Sequence, residues 1–194
     1  MSHVKNFLNL SSSIIRNMDF VKIDKIIDSI QKIKKKKGRI FFLGVGGSGA
    51  NCSHAVNDFR KLCEIEAYSP IDNSAEITAR TNDEGWNTVF VEWLKISKLK
   101  KNDCIFILSV GGGNKKRNVS MNLVKAIDFA NKKGAKILGI VGKKDGYTYK
   151  KSDYVCLIPE KNKSLVTPLC EGIQSIILHL IVSDKRIQSI KTKW

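Results

Sequence analysis

A chain of 194 residues, 42% of them hydrophobic, has the length for one domain with a substantial core. No apolar run reaches the ~18 residues of a membrane span, MSHVKNFLNLSSSIIRNMDF lacks the apolar centre of a signal peptide, and the five scattered cysteines form no CxxC. These features predict a cytoplasmic protein with no membrane partner, no disulfide framework and no thiolate zinc site. The formal net charge of +16 raises nucleic acid as a partner. However, the lysines are spread, gather where helices end or loops turn, and show no stripe with interleaved aromatics. The reading is therefore no nucleic acid, and a charge that attracts small anions.

In chain order, Val4, Phe7, Leu8, Ile14, Ile15 and Met18 recur at helical spacing, followed by Val21, Ile23, Ile26, Ile27, Ile30 and Ile33. They predict helices over 4–18 and 20–36, the second capped by Asp19 and closed by the lysines at 34–37 and Gly38. Such a pair, placed before the sheet, packs on the domain or on a partner subunit. RIFFLGV (39–45) reads as a buried strand. Gly44, Gly46, Gly47 and Gly49 follow, and a helix starting at Ser48 carries His54 and Asp58. CEIEAYSP is a short second strand stopped by Pro70. Residues 71–99 read as two helices broken near 82–85, with Trp86, Phe90, Trp93 and Leu94 on the buried side of the second. CIFILSV after Asp103 is a third strand, SVGGGNKKRNVS its loop, and a helix capped by Ser120 and closed by Gly134 follows. AKILGIV and DYVCLIP are the fourth and fifth strands, with a loop over 142–148 between them. A last helix runs from about Pro168 past His179 to about Lys185. The β-α rhythm predicts an α/β fold with a parallel sheet covered on both faces.

Ligands of such sheets sit beyond the carboxyl ends of the strands, where both glycine-rich loops fall. Glycines let backbone amides point at an anion, and a helix N-terminus adds a positive end. The loop reads as a phosphate cradle or as a plain tight turn; it is neither a Walker loop nor a GxGxxG in register. His54 and Asp58, four apart, share a helix face and either hold a metal or share a proton, or form an ordinary surface pair. His179 reads as a core histidine or as a site residue. Glu171, eight residues before it, is ~12 Å away along a helix and is either a helix-start carboxylate or a site residue.

GVGGSGANCSHAVNDF, DNSAEITARTNDEGW, SVGGGNKKRNVSMNLVKA and TPLCEGIQSIILHL together resemble the SIS (sugar isomerase) domain, in particular its phosphoheptose isomerase branch. The resemblance spans nearly the whole chain. It implies a single SIS domain over 1–194, with N-terminal helices over 1–37 and a flavodoxin-like αβα sandwich on a five-stranded parallel sheet over 38–194. It also implies a homotetramer with active sites between subunits. The implied reaction converts sedoheptulose 7-phosphate to D-glycero-D-manno-heptose 7-phosphate, usually with zinc, for lipopolysaccharide or capsule. By position His54, Asp58, Glu171 and His179 match metal ligands, with Asp58 and His179 also catalytic. Ser48, Ser109 and Ser120 match phosphate-binding serines; Asn51 and Asp83 match residues near the sugar, and Gly111 and Gly112 belong to the phosphate clamp.

Two departures stand out. Asp58 and Glu171 replace a glutamate and a glutamine, and the second phosphate loop reads Ser109-Val110-Gly111-Gly112 instead of Ser-Thr-Ser-Gly. An insertion with Lys115, Lys116 and Arg117 follows, exchanging hydroxyls for backbone amides and cations. The alternatives are a non-catalytic SIS domain that binds sugar phosphates or regulates, and an isomerase of pentose or hexose phosphates.

Overall fold

The computed structural model describes residues 2–159, 162 and 164–192. It opens with two amphipathic helices, α1 (His3–Arg16) and α2 (Phe20–Lys35). Asp19 caps α2 by accepting a hydrogen bond from the Lys22 amide at 3.1 Å. Five strands follow: β1 (Ile40–Leu43), β2 (Ala67–Tyr68), β3 (Cys104–Ser109), β4 (Lys136–Val141) and β5 (Tyr154–Leu157). All pair in parallel in the order β2-β1-β3-β4-β5, the flavodoxin-like order. The remaining helices are α3 (Gly47–Cys63), α4 (Ser74–Glu84), α5 (Val89–Ile96), α6 (Met121–Lys133), α7 (Tyr147–Lys151) and α8 (Val166–Ser183).

Alternate strand residues face opposite sides of a sheet, which explains the unbroken apolar runs: both sides are covered. Ile40, Phe42, Phe106, Leu138 and Ile140 share one core with residues of α1, α2, α3 and α8. Phe41, Leu43, Ile105, Ile107 and Ile137 share another with α5 and α6. Phe42 sits at the centre of the first, stacked on Phe106 at 5.3 Å and edge-on to Phe59 at 5.0 Å. By length and composition α8 has the apolar content to cross a membrane, but its Leu169, Cys170, Ile173, Ile177, Leu178, Ile181 and Val182 are buried against the protein, so it is a core helix.

The starts of β1 and β3 are pinned by one buried carboxylate. Asp103 is fully buried and accepts from the Arg39 amide, from the Arg39 guanidinium through both oxygens, and from the Lys100 amide. That pairing raises the pKa of Arg39 further.

Several local expectations are corrected. Ser120 stands at the start of α6 with φ of +47° and its hydroxyl makes no capping bond. An antiparallel bridge between Asn114 and Val119 closes the inserted residues into a hairpin, and the chain leaves it at Ser120 in the left-handed region. Trp86 is 40% exposed rather than buried, because it lies in the turn before α5. The predicted loop over 142–148 ends in α7, too short to show a helical apolar period. The last helix begins at Val166, with Pro168 inside its first turn, and ends at Ser183.

Candidate active site

The loop after β1 turns at Gly46, whose φ of +62° favours glycine, and delivers the chain to α3 at Gly47. Ser48 is buried, and its hydroxyl has no hydrogen-bond partner among the described residues. A buried hydroxyl at the positive end of a helix, without an acceptor or donor, suits a ligand anion. Part of that end is already occupied by the chain itself. The Glu171 carboxylate accepts from the Ser48 amide at 3.1 Å and lies so close to Gly47 that a side chain there would collide with it. Asn51 donates to the Glu171 carbonyl at 2.8 Å and to Gln174 Oε1 at 3.3 Å.

About two to three turns into α3, where it packs on α8, His54, Asp58 and His179 come together. His54 Nε2 is 2.9 Å from His179 Nε2 and 3.2 Å from Asp58 Oδ2; His179 Nε2 is 3.8 Å from the same oxygen. The imidazoles are half-exposed, at 48% and 57%, while the Asp58 side chain is 12% exposed. Asn57 donates to Asp58 Oδ1 at 2.9 Å, so Oδ2 is the oxygen left facing the rings. The three residues line a cavity of about 410 Å³ together with Asn57, Leu62 and Leu180.

Donor atoms on a tetrahedral zinc with bonds of ~2.0–2.1 Å lie ~3.3 Å apart. The three separations here bracket that value, and two imidazoles with a carboxylate are an N/O set that zinc accepts. The residues therefore fit a metal ion, with a coordination position left for a ligand. Glu171 is not brought into this cluster; its carboxylate is at the start of α3.

The second loop, after β3, is shaped by its own hydrogen bonds. Ser109 Oγ accepts from the Gly112 amide at 2.9 Å, and Gly112 and Gly113 have φ of +71° and +76°. Gly112 and Gly113 carbonyls accept from Thr148 and Tyr147 of α7, which holds the loop down. Ser120 follows the inserted hairpin. Lys115 and Lys116 line a separate cavity with Tyr147 and Lys150, not with these serines. Asp83 stands on α4, which buries no residue, and accepts from Asn82 at 2.8 Å. The structure does not bring it to the cluster.

Three supporting residues escaped the sequence reading. Gln174 is fully buried and bonds Asn51; Asn57 orients Asp58; Thr148 anchors Gly112. Gln174, a polar residue within the apolar run of α8, carried a readable signal. Asn57 and Thr148 did not, since their roles depend on packing.

The SIS domain family model matches residues 4–142, and the chain belongs to that family. Among curated relatives, it is similar to a phosphoheptose isomerase of Thermodesulfovibrio yellowstonii, 25% identical over 86% of each chain. A phosphoheptose isomerase of Aneurinibacillus thermoaerophilus is 22% identical, over 93% of this chain and 88% of the relative. Among solved structures, the phosphoheptose isomerase of Neisseria gonorrhoeae shares the fold with a TM-score of 0.79 over 93% of both chains, at 16% identity. The expected kinship with the phosphoheptose isomerase branch is thus met.

Proposed function

We propose that the protein is an aldose–ketose isomerase that converts sedoheptulose 7-phosphate to D-glycero-D-manno-heptose 7-phosphate. The observation that carries this reading is the convergence of His54, Asp58 and His179 where α3 packs on α8, on a fold whose relatives bear the name phosphoheptose isomerase.

Isomerisation moves a proton between C1 and C2 through an enediol, which needs a base, a group that protonates oxygen, and stabilisation of the oxyanion. Asp58 is the base. Its Oδ2 faces the imidazoles, while Oδ1, held by Asn57, keeps a lone pair to take the proton from carbon. His179 exchanges the oxygen proton through Nε2 when no metal engages that nitrogen, and His54 orients it from 2.9 Å. His54, Asp58 and His179 would hold a zinc ion, which would supply polarisation of the substrate carbonyl. Ser48, Ser109, Ser120 and the Gly111 amide bind the phosphate, whose remote binding energy positions the reacting carbons, and Gly112 shapes the clamp by donating its amide to Ser109 Oγ. Asn51 lies between the two regions and contacts the sugar. Glu171 holds the Ser48 amide in this structure, and its carboxylate joins the ligand set only by leaving Ser48.

The protein acts as a cytoplasmic homotetramer with sites between subunits, in nucleotide-heptose biosynthesis for lipopolysaccharide or capsule. Exposed Ile176 and Leu180 on α8, flanking His179, and exposed Val4 and Leu8 on α1 support burial by another copy. Asp83 on the exposed α4 then contacts substrate in a neighbouring subunit's site.

Asp58→Asn and His179→Ala test the assignment of roles. Each lowers turnover at least ~100-fold with an unchanged circular dichroism spectrum. Near-normal turnover by either variant contradicts the assignment. Binding of the heptose phosphate without conversion by the wild-type protein favours the non-catalytic SIS reading.

A further inference from the structure

The inserted hairpin builds a cavity that the isomerase reading does not use. The Asn114 and Val119 backbones exchange hydrogen bonds of 2.8 and 3.0 Å, and Asn114 Oδ1 accepts from the Arg117 amide at 3.0 Å. The hairpin is thus closed at its base and carries Lys115 and Lys116. On the other side stands α7, tied to the same loop by the Tyr147 amide, which donates to the Gly113 carbonyl at 2.7 Å. Between them lies a cavity of about 520 Å³, lined by Asn114, Lys115, Lys116, Asp145, Tyr147 and Lys150. None of Ser48, Ser109, Ser120, His54, Asp58 or His179 lines it. The carbonyls of Gly112 and Gly113 are engaged by Thr148 and Tyr147 of α7.

Three lysines and one aspartate line this cavity, and Lys115 is also paired with Asp128. The other nearby acid, Asp128, is engaged by the Tyr147 hydroxyl and lies 3.7 Å from Lys115. Lysines donate and never accept, and like charges gathered around one cavity repel until an anion joins them. The lysines come from two elements, the hairpin and α7, so a ligand that engages all three must reach both walls. A single phosphate is compact. A diphosphate is longer and more highly charged, and the volume falls within the ~300–1,000 Å³ of small-molecule sites, leaving room for a group attached to it.

We propose that the hairpin and α7 form a second anion site that takes a diphosphate group, such as that of a nucleoside diphosphate, apart from the site of isomerisation. This inference rests on the cavity alone and stands whether or not the protein converts a heptose phosphate.

Calorimetric titration of the full-length protein with ADP, pyrophosphate and inorganic phosphate, in magnesium-free buffer, tests it. ADP and pyrophosphate are expected to bind once per chain, at least tenfold tighter than inorganic phosphate. The Lys115→Glu/Lys116→Glu double variant and Lys150→Glu are each expected to weaken both at least tenfold, while Ser48→Ala leaves both within threefold. Lys150→Gln, with circular dichroism of every variant, separates loss of charge from loss of fold. Failure of wild type to bind pyrophosphate, binding indifferent to the lysine variants, or loss of binding in Ser48→Ala overturns the proposal. Binding of ADP without pyrophosphate also overturns it, since the diphosphate would not be the group recognised.

Discussion

At His54, Asp58 and His179, side-chain reach decides whether one ion can be shared. Asp58 is one methylene shorter than the glutamate of the phosphoheptose isomerase pattern, yet its Oδ2 comes within 3.2 and 3.8 Å of both imidazole nitrogens. The α3–α8 packing brings the rings near enough for the shorter acid. Its aim depends on Asn57, which holds Oδ1 at 2.9 Å. Partners of this kind typically change metal affinity by ~10–100-fold. Asn57→Ala should therefore weaken zinc binding by about that factor, measured by competition with a chelator, without altering thermal unfolding of the metal-free protein by more than a few degrees. An unchanged zinc affinity would show that Asp58 is oriented by its helix alone. The residue scale also explains what could not be read beforehand. His54 and Asp58 were legible as a pair because a helix fixes the four-residue spacing. The approach of His179, 125 residues later, came from resemblance rather than from any local pattern. Glu171 illustrates the opposite limit: nothing in its neighbours announced that its carboxylate would be on the Ser48 amide, because that contact depends on how α8 lies across α3.

At the scale of elements, the strands were legible since burial on both sides leaves continuous apolar runs. Their helices were legible by period, except where a device other than period set the structure. The hairpin delivers Ser120 in a left-handed conformation, and α7 is five residues held by hydrogen bonds to the Gly112–Gly113 carbonyls. Packing of β1 against α3 concentrates in Phe42, fully buried between Phe59 and Phe106. Phe42→Ala should cost about 3–5 kcal/mol, read as a lower urea midpoint with little change in slope; a loss below about 1 kcal/mol would mean that the core collapses around the gap. The α6–α7 contact carries a pH signature. The hydrogen bond from Tyr147 to Asp128 pushes the phenol up to about 12. A folded pKa above the unfolded one means that the native state holds this proton longer. The contribution is complete below the ordinary tyrosine range and is lost as pH rises towards 12. Phenolate absorbance should show one tyrosine ionising near 12 and disappearing from that range in Tyr147→Phe; ionisation of all the tyrosines near 10 would refute the bond.

For the molecule as a whole, the parallel sheet places both glycine-rich loops beyond its carboxyl edge, on either side of the β1–β3 junction. One loop leads to the buried Ser48 hydroxyl, without a partner among the described residues, and on to the His54–Asp58–His179 cluster; the other presents Ser109 and then the basic hairpin. The net charge of +16 includes these hairpin lysines, which line the cavity beside α7. The most direct measurement is NMR observation of purified protein with sedoheptulose 7-phosphate in deuterated water, with and without zinc. The account predicts the appearance of the aldose phosphate, deuterium incorporated at C2 of the aldose, and faster conversion with zinc. Sedoheptulose 7-phosphate that stays unconverted and undeuterated, with zinc present and the protein folded, would contradict it.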